Sequence, residues 1–325
     1  MTRSIPQLVS VAAICVGVLL FALTLSYIDF EETLHSVARL GLALPVILLP
    51  ATFWQLLRTW GWAISFPDDV RPAFTRLFRV RLAADAISFF TVRGIAGEPL
   101  KVVLLLDRSP AEITTAAIAL ERLAFGVMSI IIAGIISFYA VTNLSMPRAW
   151  DTVFTLLSAG AVILVPLLAF IARRRTGDYL GRIVEMLDRL VGRRLEASRI
   201  VRFVLDVEDV LLDLLRGDQR RLLILIGLPV LCYFVMAMEV WLVFWAIGEP
   251  IGLMQGLAVE TFTRLASVAS AAIPGNLGAL EASNAAVVSM LGLGGGGALA
   301  LARRIRALLW AALGLALYPQ PRTRR

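Results

Sequence analysis

Long continuous apolar runs, rather than alternating apolar and polar positions, dominate the chain. Each run is about 20 residues long, which is the length an α-helix needs to cross a bilayer, whereas the strands of a membrane barrel alternate over about 10 residues. The pattern therefore predicts an all-α polytopic integral membrane protein. Six runs predict full spans, at residues 8–28, 40–57, 113–139, 153–171, 222–247 and 299–318.

Two further apolar stretches are interrupted by glycine-rich segments. The first, residues 82–106, has arms of 11 and 8 residues, which are too short to cross, so we expect a re-entrant hairpin that enters from the cytoplasm. The second, residues 257–291, has arms of about 17 residues and is expected to enter from the outside, as a hairpin or as two short spans. The glycines that allow the two reversals are Gly94, Gly97, Gly275 and Gly278.

The distribution of arginine predicts the orientation, because cytoplasmic loops of membrane proteins are enriched in positive charge. Segments 58–81 and 173–221 are rich in arginine and are predicted to be cytoplasmic loops, whereas the acidic segment 29–39 is predicted to lie outside. Both termini are then cytoplasmic. We predict one transmembrane domain over 1–325, made of a first half at 1–172, the cytoplasmic loop at 173–221 and a second half at 222–318.

The cytoplasmic loop contains its own periodic pattern over residues 178–215. Apolar residues recur at helical spacing and charged residues fill the other positions, which predicts a pair of amphipathic helices on the inner membrane surface. A second interpretation is an arm that docks lipid-biosynthesis enzymes.

Composition supports a membrane protein and narrows the classes of function. Hydrophobic residues make up 59% of the chain and charged residues 17%, against about 25% charged in soluble domains. The net charge of +7 is explained by basic loops facing an anionic leaflet, so we expect no nucleic acid partner. Two cysteines within apolar runs and a single histidine favour neither a disulfide framework nor a histidine-built metal site, and we expect no metal and no cofactor.

Ionisable residues within the apolar runs are the main functional signal. Each would cost about 2.5–3.5 kcal/mol if it faced lipid, so these residues must face one another or a wet cavity. Broken helices with charges at their breaks are typical of transporter sites, and buried pairs that only hold helices together are the alternative. The residues are Asp85, Arg93, Glu98, Lys101, Glu121, Arg122, Glu239, Glu260, Arg264 and Glu281.

Three arginines also interrupt the last run, at Arg303, Arg304 and Arg306. They lie near its predicted outer end, where positive charge is unusual. We expect one or two of them to face the protein interior. The alternative is that all three extend to the headgroup layer.

Three motifs together resemble a known family. They are Gly94-Ile95-Ala96-Gly97-Glu98-Pro99-Leu100-Lys101, then Glu121-Arg122-Leu123, then Pro274-Gly275-Asn276-Leu277-Gly278-Ala279-Leu280-Glu281. This order resembles the lysylphosphatidylglycerol synthase transmembrane, or flippase-like, family of bacterial inner-membrane proteins, over roughly residues 8–318. The resemblance implies lipid translocation between leaflets of the inner membrane. We expect the chain to lack the soluble aminoacyl-transferase domain of the synthase members and therefore synthase activity. A match to the hopanoid-associated branch is a further expectation.

The function expected from the sequence is therefore a lipid flippase or transporter without covalent chemistry. Membrane lipids are the expected substrate, with cations binding phosphate and carboxylates balancing charge or binding an amine. A non-catalytic scaffold for membrane lipid (hopanoid) biosynthesis and a lipid-modifying transferase are the alternatives. The expected substrate-binding residues are Arg93, Glu98, Lys101, Glu121, Arg122, Glu260, Arg264, Glu281, Arg303 and Arg304.

Overall fold

A computed structural model describes residues 41–90, 97–144, 147–173, 186, 199–216, 219–269 and 279–319. Apart from two short 3₁₀ turns, all regular secondary structure in these ranges is α-helical, so the predicted all-α class is confirmed. The helices are α1 Leu44–Ile64, α2 Phe74–Phe90, α3 Gly97–Leu105, α4 Ala111–Asn143, α5 Arg148–Arg173, α6 Arg199–Arg216, α7 Gln219–Ala246, α8 Leu253–Ala269, α9 Ala279–Met290 and α10 Gly296–Ala316.

Five of the six predicted spans correspond to α1, α4, α5, α7 and α10, which are 21 to 33 residues long. The first predicted span, 8–28, lies outside the described residues. By length and composition, α4 and α7 are the two described helices found able to cross a membrane. Helix α1 contains polar residues such as Gln55 and Arg58, and α10 contains three arginines, which lowers the hydropathy of both helices. Six full spans therefore stay a prediction.

The prediction that residues 58–81 form a loop is wrong for most of that segment. Helix α1 continues to Ile64 and α2 begins at Phe74, so only residues 65–73 connect the two helices. Arg58 and Arg81 lie within helices and are 5% and 2% exposed. The helices extend because Trp62 and Leu77 are buried in one apolar core. The arginines in the same segment lower its mean hydropathy, so the segment does not stand out as apolar in the sequence.

The arms of both predicted hairpins are helices that pack against each other. Helix α2 packs on α3, and α8 packs on α9. The arms α2 and α3 contain 17 and 9 residues, so the first arm is longer than predicted because it begins before residue 82. The breaks at 91–96 and 270–278, which include Gly94, Gly275 and Gly278, lie outside the described residues.

Helix α6 corresponds to the second of the two predicted amphipathic helices, and the first lies outside the described residues. Its apolar residues recur at helical spacing, with acidic residues between them. It packs against α4, so at least part of its surface contacts protein rather than the membrane.

Two apolar cores are built around the two pairs of arms. The first core surrounds α2 and α3 and contains Trp62, Phe66, Leu77, Val80 and Leu105. The second core is made of two neighbouring clusters of buried residues around α8 and α9. One contains Val259, Val288 and Leu299, and the other contains Phe262 and Val287.

Charged residues lie between these cores along the long helices. On α1, Arg58 follows Ile47 of the second core and precedes Trp62 of the first. On α4, Glu121 lies between Ala117 of the first core and Ile136 of the second. Along these two helices, charged residues therefore lie between the two cores.

The outer surface of the bundle carries apolar stripes. On α1 the exposed side chains are spaced three and four residues apart, so they form one face of the helix. Exposed apolar patches of this extent indicate contact with other molecules or with lipid. The α1 stripe consists of Val46, Leu49, Phe53, Leu56 and Trp60, and α7 has a similar stripe of Leu223, Ile226, Leu231, Phe234, Met238, Trp241 and Trp245.

Two glycines let helices approach α2 closely. A Cβ on Gly97 would collide with the side chain of Ser88 and lie 2.7 Å from the Ala84 carbonyl oxygen. A Cβ on Gly314 of α10 would collide with the Leu82 backbone. Gly97, predicted from the sequence to serve the chain reversal, therefore has a packing role in the structure.

We predict that Gly314→Ala lowers the melting temperature of the purified protein, because the added methyl group forces α10 away from α2 at a cost of about 1–3 kcal/mol. The matched control is Gly126→Ala, in which the new Cβ meets nothing within 4 Å and gains helix propensity. Thermal unfolding in detergent measures both. Equal stability of the two variants would contradict the close approach.

Candidate functional site

Seven charged side chains from α1, α2, α3 and α4 form the first charged cluster. Its buried end is centred on Glu121, whose Oε1 lies 3.1 Å from Arg58 Nη2 and 3.7 Å from Arg81 Nη1. Arg81 Nη1 also donates a hydrogen bond to the backbone oxygen of Arg58, at 3.1 Å. One carboxylate thus joins three helices. The members of the cluster are Arg58, Arg81, Asp85, Glu98, Lys101, Glu121 and Arg122.

The other end of the first cluster is open. Lys101 Nζ lies 3.2 Å from both oxygens of Glu98 and 3.9 Å from Asp85 Oδ1, and it is buried. Arg122 donates to Glu98 from the next helix. The side chains of Glu98 and Asp85 are 25% and 30% exposed, and that of Arg122 is 49% exposed. The cluster therefore runs from a closed end at Glu121 to an accessible edge at Arg122.

The helical geometry explains how two neighbouring residues serve both ends. Adjacent residues on a helix diverge by about 100°, which predicts different partners for Glu121 and Arg122. In the structure Glu121 pairs with Arg58 and Arg81, whereas Arg122 pairs with Glu98.

The second charged cluster is formed by α7, α8, α9 and α10. Arg303 is its centre: Nη2 donates to Glu260 Oε2 at 2.6 Å, and Nη1 donates to Asn284 Oδ1 at 2.8 Å and to Thr263 Oγ1. Arg264 Nε donates to the other oxygen of Glu260 at 3.1 Å, as the four-residue spacing on one helix face predicts. The charged members are Glu239, Glu260, Arg264, Arg303 and Arg306.

The arginines of α10 face the protein. Arg303 and Arg304 are 5% and 3% exposed, and Arg306 pairs with the buried Glu239. This agrees with the inward orientation expected from the sequence and contradicts extension of all three side chains to the headgroup layer.

The two clusters meet at Phe125 of α4. The guanidinium carbon of Arg58 lies 3.9 Å from the centre of the Phe125 ring, and that of Arg264 lies 5.7 Å from the same centre. Arg264 also lies 4.9 Å from the ring of Tyr233. Both distances to Phe125 are within the range of cation–π attraction, so one aromatic ring joins a cation from each cluster.

Little space is left beside Arg58 at this junction. Among the described residues, a cavity of about 10 Å³ is lined by Arg58, Glu121, Phe125, Leu228 and Cys232. That volume suits about one water molecule and is far too small for a lipid headgroup. A headgroup would fit this cavity only if the helices separated.

The structure brings most of the expected site residues together in two groups. Glu98, Lys101, Glu121 and Arg122 belong to the first cluster, and Glu260, Arg264 and Arg303 belong to the second. Arg304 is buried on the same helix as Arg303. Arg93 and the side chain of Glu281 lie outside the described residues.

Sequence reasoning missed Arg58 and Arg81 as site residues because both were counted as loop charges. A signal for Arg58 was present in the flanking aromatic residues: Trp54 and Trp62 stand one helical turn on either side of it, which indicates that the helix continues. Thr263 and Asn284 were missed because they carry no charge, and only ionisable residues in the apolar runs served as site signals.

The comparison with known families decides the identity. A family model described as the lysylphosphatidylglycerol synthase TM region matches residues 8–316. The chain belongs to this family. The resemblance seen in the three motifs is thereby confirmed, and family membership makes this a membrane-embedded protein with a role connected to membrane lipids. Searches of curated proteins and of solved structures found no match. The hopanoid-associated branch stays a prediction.

We predict that Arg306→Met destabilises the protein by about 3–5 kcal/mol, because it leaves the buried Glu239 without this cation. The double variant Arg306→Met with Glu239→Gln removes the stranded charge and should recover most of the loss. Thermal or denaturant unfolding in detergent measures both. A double variant less stable than Arg306→Met would contradict the pairing.

Proposed function

We propose that this protein moves a phosphate-bearing lipid between the two leaflets of the bacterial inner membrane. One observation supports the proposal: Arg58 of the first cluster and Arg264 of the second both lie against the ring of Phe125, between two apolar cores. A polar layer in the middle of an otherwise apolar bundle is the arrangement by which transporters bind polar substrates at the bilayer midplane.

The accessible edge favours a ligand site over a purely structural role. Partly exposed ion pairs contribute little to stability, and buried ones can often be replaced by apolar residues of similar size without loss. The first cluster leaves Glu98 and Arg122 partly exposed beside a buried lysine. A headgroup could reach Arg122 first while its acyl chains remain against the apolar stripes of the bundle.

Movement of the headgroup requires the helices around Phe125 to separate. In the proposed topology, six full spans enclose two hairpins that enter from opposite faces, with both termini in the cytoplasm. Separation of the two clusters at Phe125 would connect the edge at Arg122 to Arg264 and the arginines of α10. Acidic partners would hold these cations when no lipid is bound, and a phosphate would replace a carboxylate when the site is loaded.

We predict that Lys101→Met and Arg264→Leu each reduce lipid movement about tenfold or more, equivalent to about 1.4 kcal/mol in the barrier, because each removes a cation from the path. The assay uses liposomes that contain purified protein and fluorescent phospholipid, with an impermeant quencher to report the exposed leaflet. Arg148→Gln, which removes an exposed arginine outside both clusters, is the matched control and should retain the full rate.

The same assay separates the alternatives. Folded protein that moves none of the phospholipids tested would overturn the proposal. Formation of a modified lipid would indicate a transferase, and neither movement nor product would favour a scaffold.

The topology is tested by cysteine labelling. In a variant without Cys15 and Cys232, single cysteines at residues 107–112 are expected to react with an impermeant reagent only from the cytoplasmic side, because the first hairpin returns to the face it entered. Labelling of these positions from the outside would contradict a re-entrant first hairpin.

A further inference from the structure

The carboxylates of the two clusters are already paired. Among the described residues, Asp85, Glu98, Glu121 and Glu260 each lie within 4 Å of two cations. Glu239 pairs with Arg306 and is 1% exposed, so a headgroup cannot reach it without displacing α10. An ammonium group entering the site would therefore have to compete with an arginine or lysine for every one of these acids.

Cations, by contrast, are in surplus. The ion pairs of the two clusters, within the described residues, contain seven arginine and lysine side chains and five carboxylates. Arg93 and Glu281 would add one charge of each sign and leave the difference unchanged. A surplus of positive charge in a low-dielectric layer is costly, and an anionic occupant would offset it.

Hydrogen-bond donors are also left over. Both Arg58 and Arg303 are at least nine-tenths buried. Within the described residues, Nε and Nη1 of Arg58 and Nε of Arg303 donate to no acceptor. Arg58 also lines the small cavity at the junction. Because a buried donor without an acceptor is destabilising, these groups are suited to an acceptor that arrives with the ligand.

We propose that the site selects a lipid headgroup with net negative charge, a phosphate without an ammonium group, over zwitterionic and cationic headgroups. This inference rests on the proposed function and specifies its substrate class. Arg122 at the open edge is the first contact, and Lys101 behind it is the second. A phosphate oxygen that binds both would take the place now held by Glu98.

Equilibrium binding tests the selectivity without requiring transport. The full chain in detergent is mixed with phosphatidylglycerol and phosphatidylethanolamine at equal concentration, and native mass spectrometry counts each bound lipid. Phosphatidylglycerol is expected to be preferred. Arg122→Gln should reduce that preference about tenfold, the loss expected for one charge-assisted hydrogen bond. Arg122→Lys, which keeps the charge, should retain most of it, and Arg148→Gln should leave it unchanged.

Glu98→Gln separates ligand binding from a structural role, because the two roles predict opposite signs. If Glu98 competes with the lipid phosphate for Arg122 and Lys101, its neutralisation should increase phosphatidylglycerol binding. If the Glu98–Arg122 pair only holds α3 to α4, Glu98→Gln and Arg122→Gln should weaken binding together. A parallel loss, a preference for phosphatidylethanolamine, or equal behaviour of Arg122→Gln and Arg148→Gln would each overturn the inference.

A final binding experiment distinguishes a lipid from a soluble phosphate as the ligand. Glycerol phosphate at the same concentration should not displace bound phosphatidylglycerol, because it has no acyl chains to bind the apolar stripes. Displacement would overturn the assignment to a lipid. Failure of the proposed function is a separate result, seen as absent lipid movement in liposomes whatever the binding preference.

Discussion

A charged side chain in the interior of a bilayer cannot be left without a partner, and the arrangement of this bundle depends on that constraint. Glu121 connects α4 to α1 and α2, and Glu260 connects α8 to α10. These contacts join helices that are far apart in the sequence. The apolar cores alone would tolerate many relative rotations of the helices, whereas each ion pair requires one particular face of each helix to point inward.

The same constraint links the stability of the bundle to the function of the charged layer. Buried ion pairs often contribute little net stability relative to apolar residues of similar size, so their concentration in one layer calls for a functional explanation. The layer is buried at Arg58 and Glu121 but exposed at Arg122. In the proposed function, the surplus of cations would favour entry of an anionic headgroup, and the small space beside Phe125 would limit leakage between leaflets.

The sequence was sufficient for the all-helical class and for the charged residues within apolar runs, because hydropathy and charge are local properties. It was not sufficient for Arg58 and Arg81, since an arginine near a predicted helix end is indistinguishable from a loop arginine until its partner is known. That partner, Glu121, is 63 residues from Arg58 in the chain. The roles of Gly97 and Phe125 likewise depend on what another helix places beside them. The divergence of Glu121 and Arg122 was predictable because it follows from helix geometry alone.

The central claim is that the charged layer binds lipid rather than only holding helices together. Replacing an ion pair by apolar residues separates these roles. The double variant Glu98→Leu with Arg122→Leu removes one charge of each sign, so neither partner is left as an unpaired charge. Lys101 still pairs with Asp85. The decisive measurement is the rate of lipid movement by this double variant in liposomes, alongside its melting temperature. The account predicts a melting temperature close to that of the unaltered protein and loss of lipid movement. Lipid movement at the full rate by the folded double variant would contradict it.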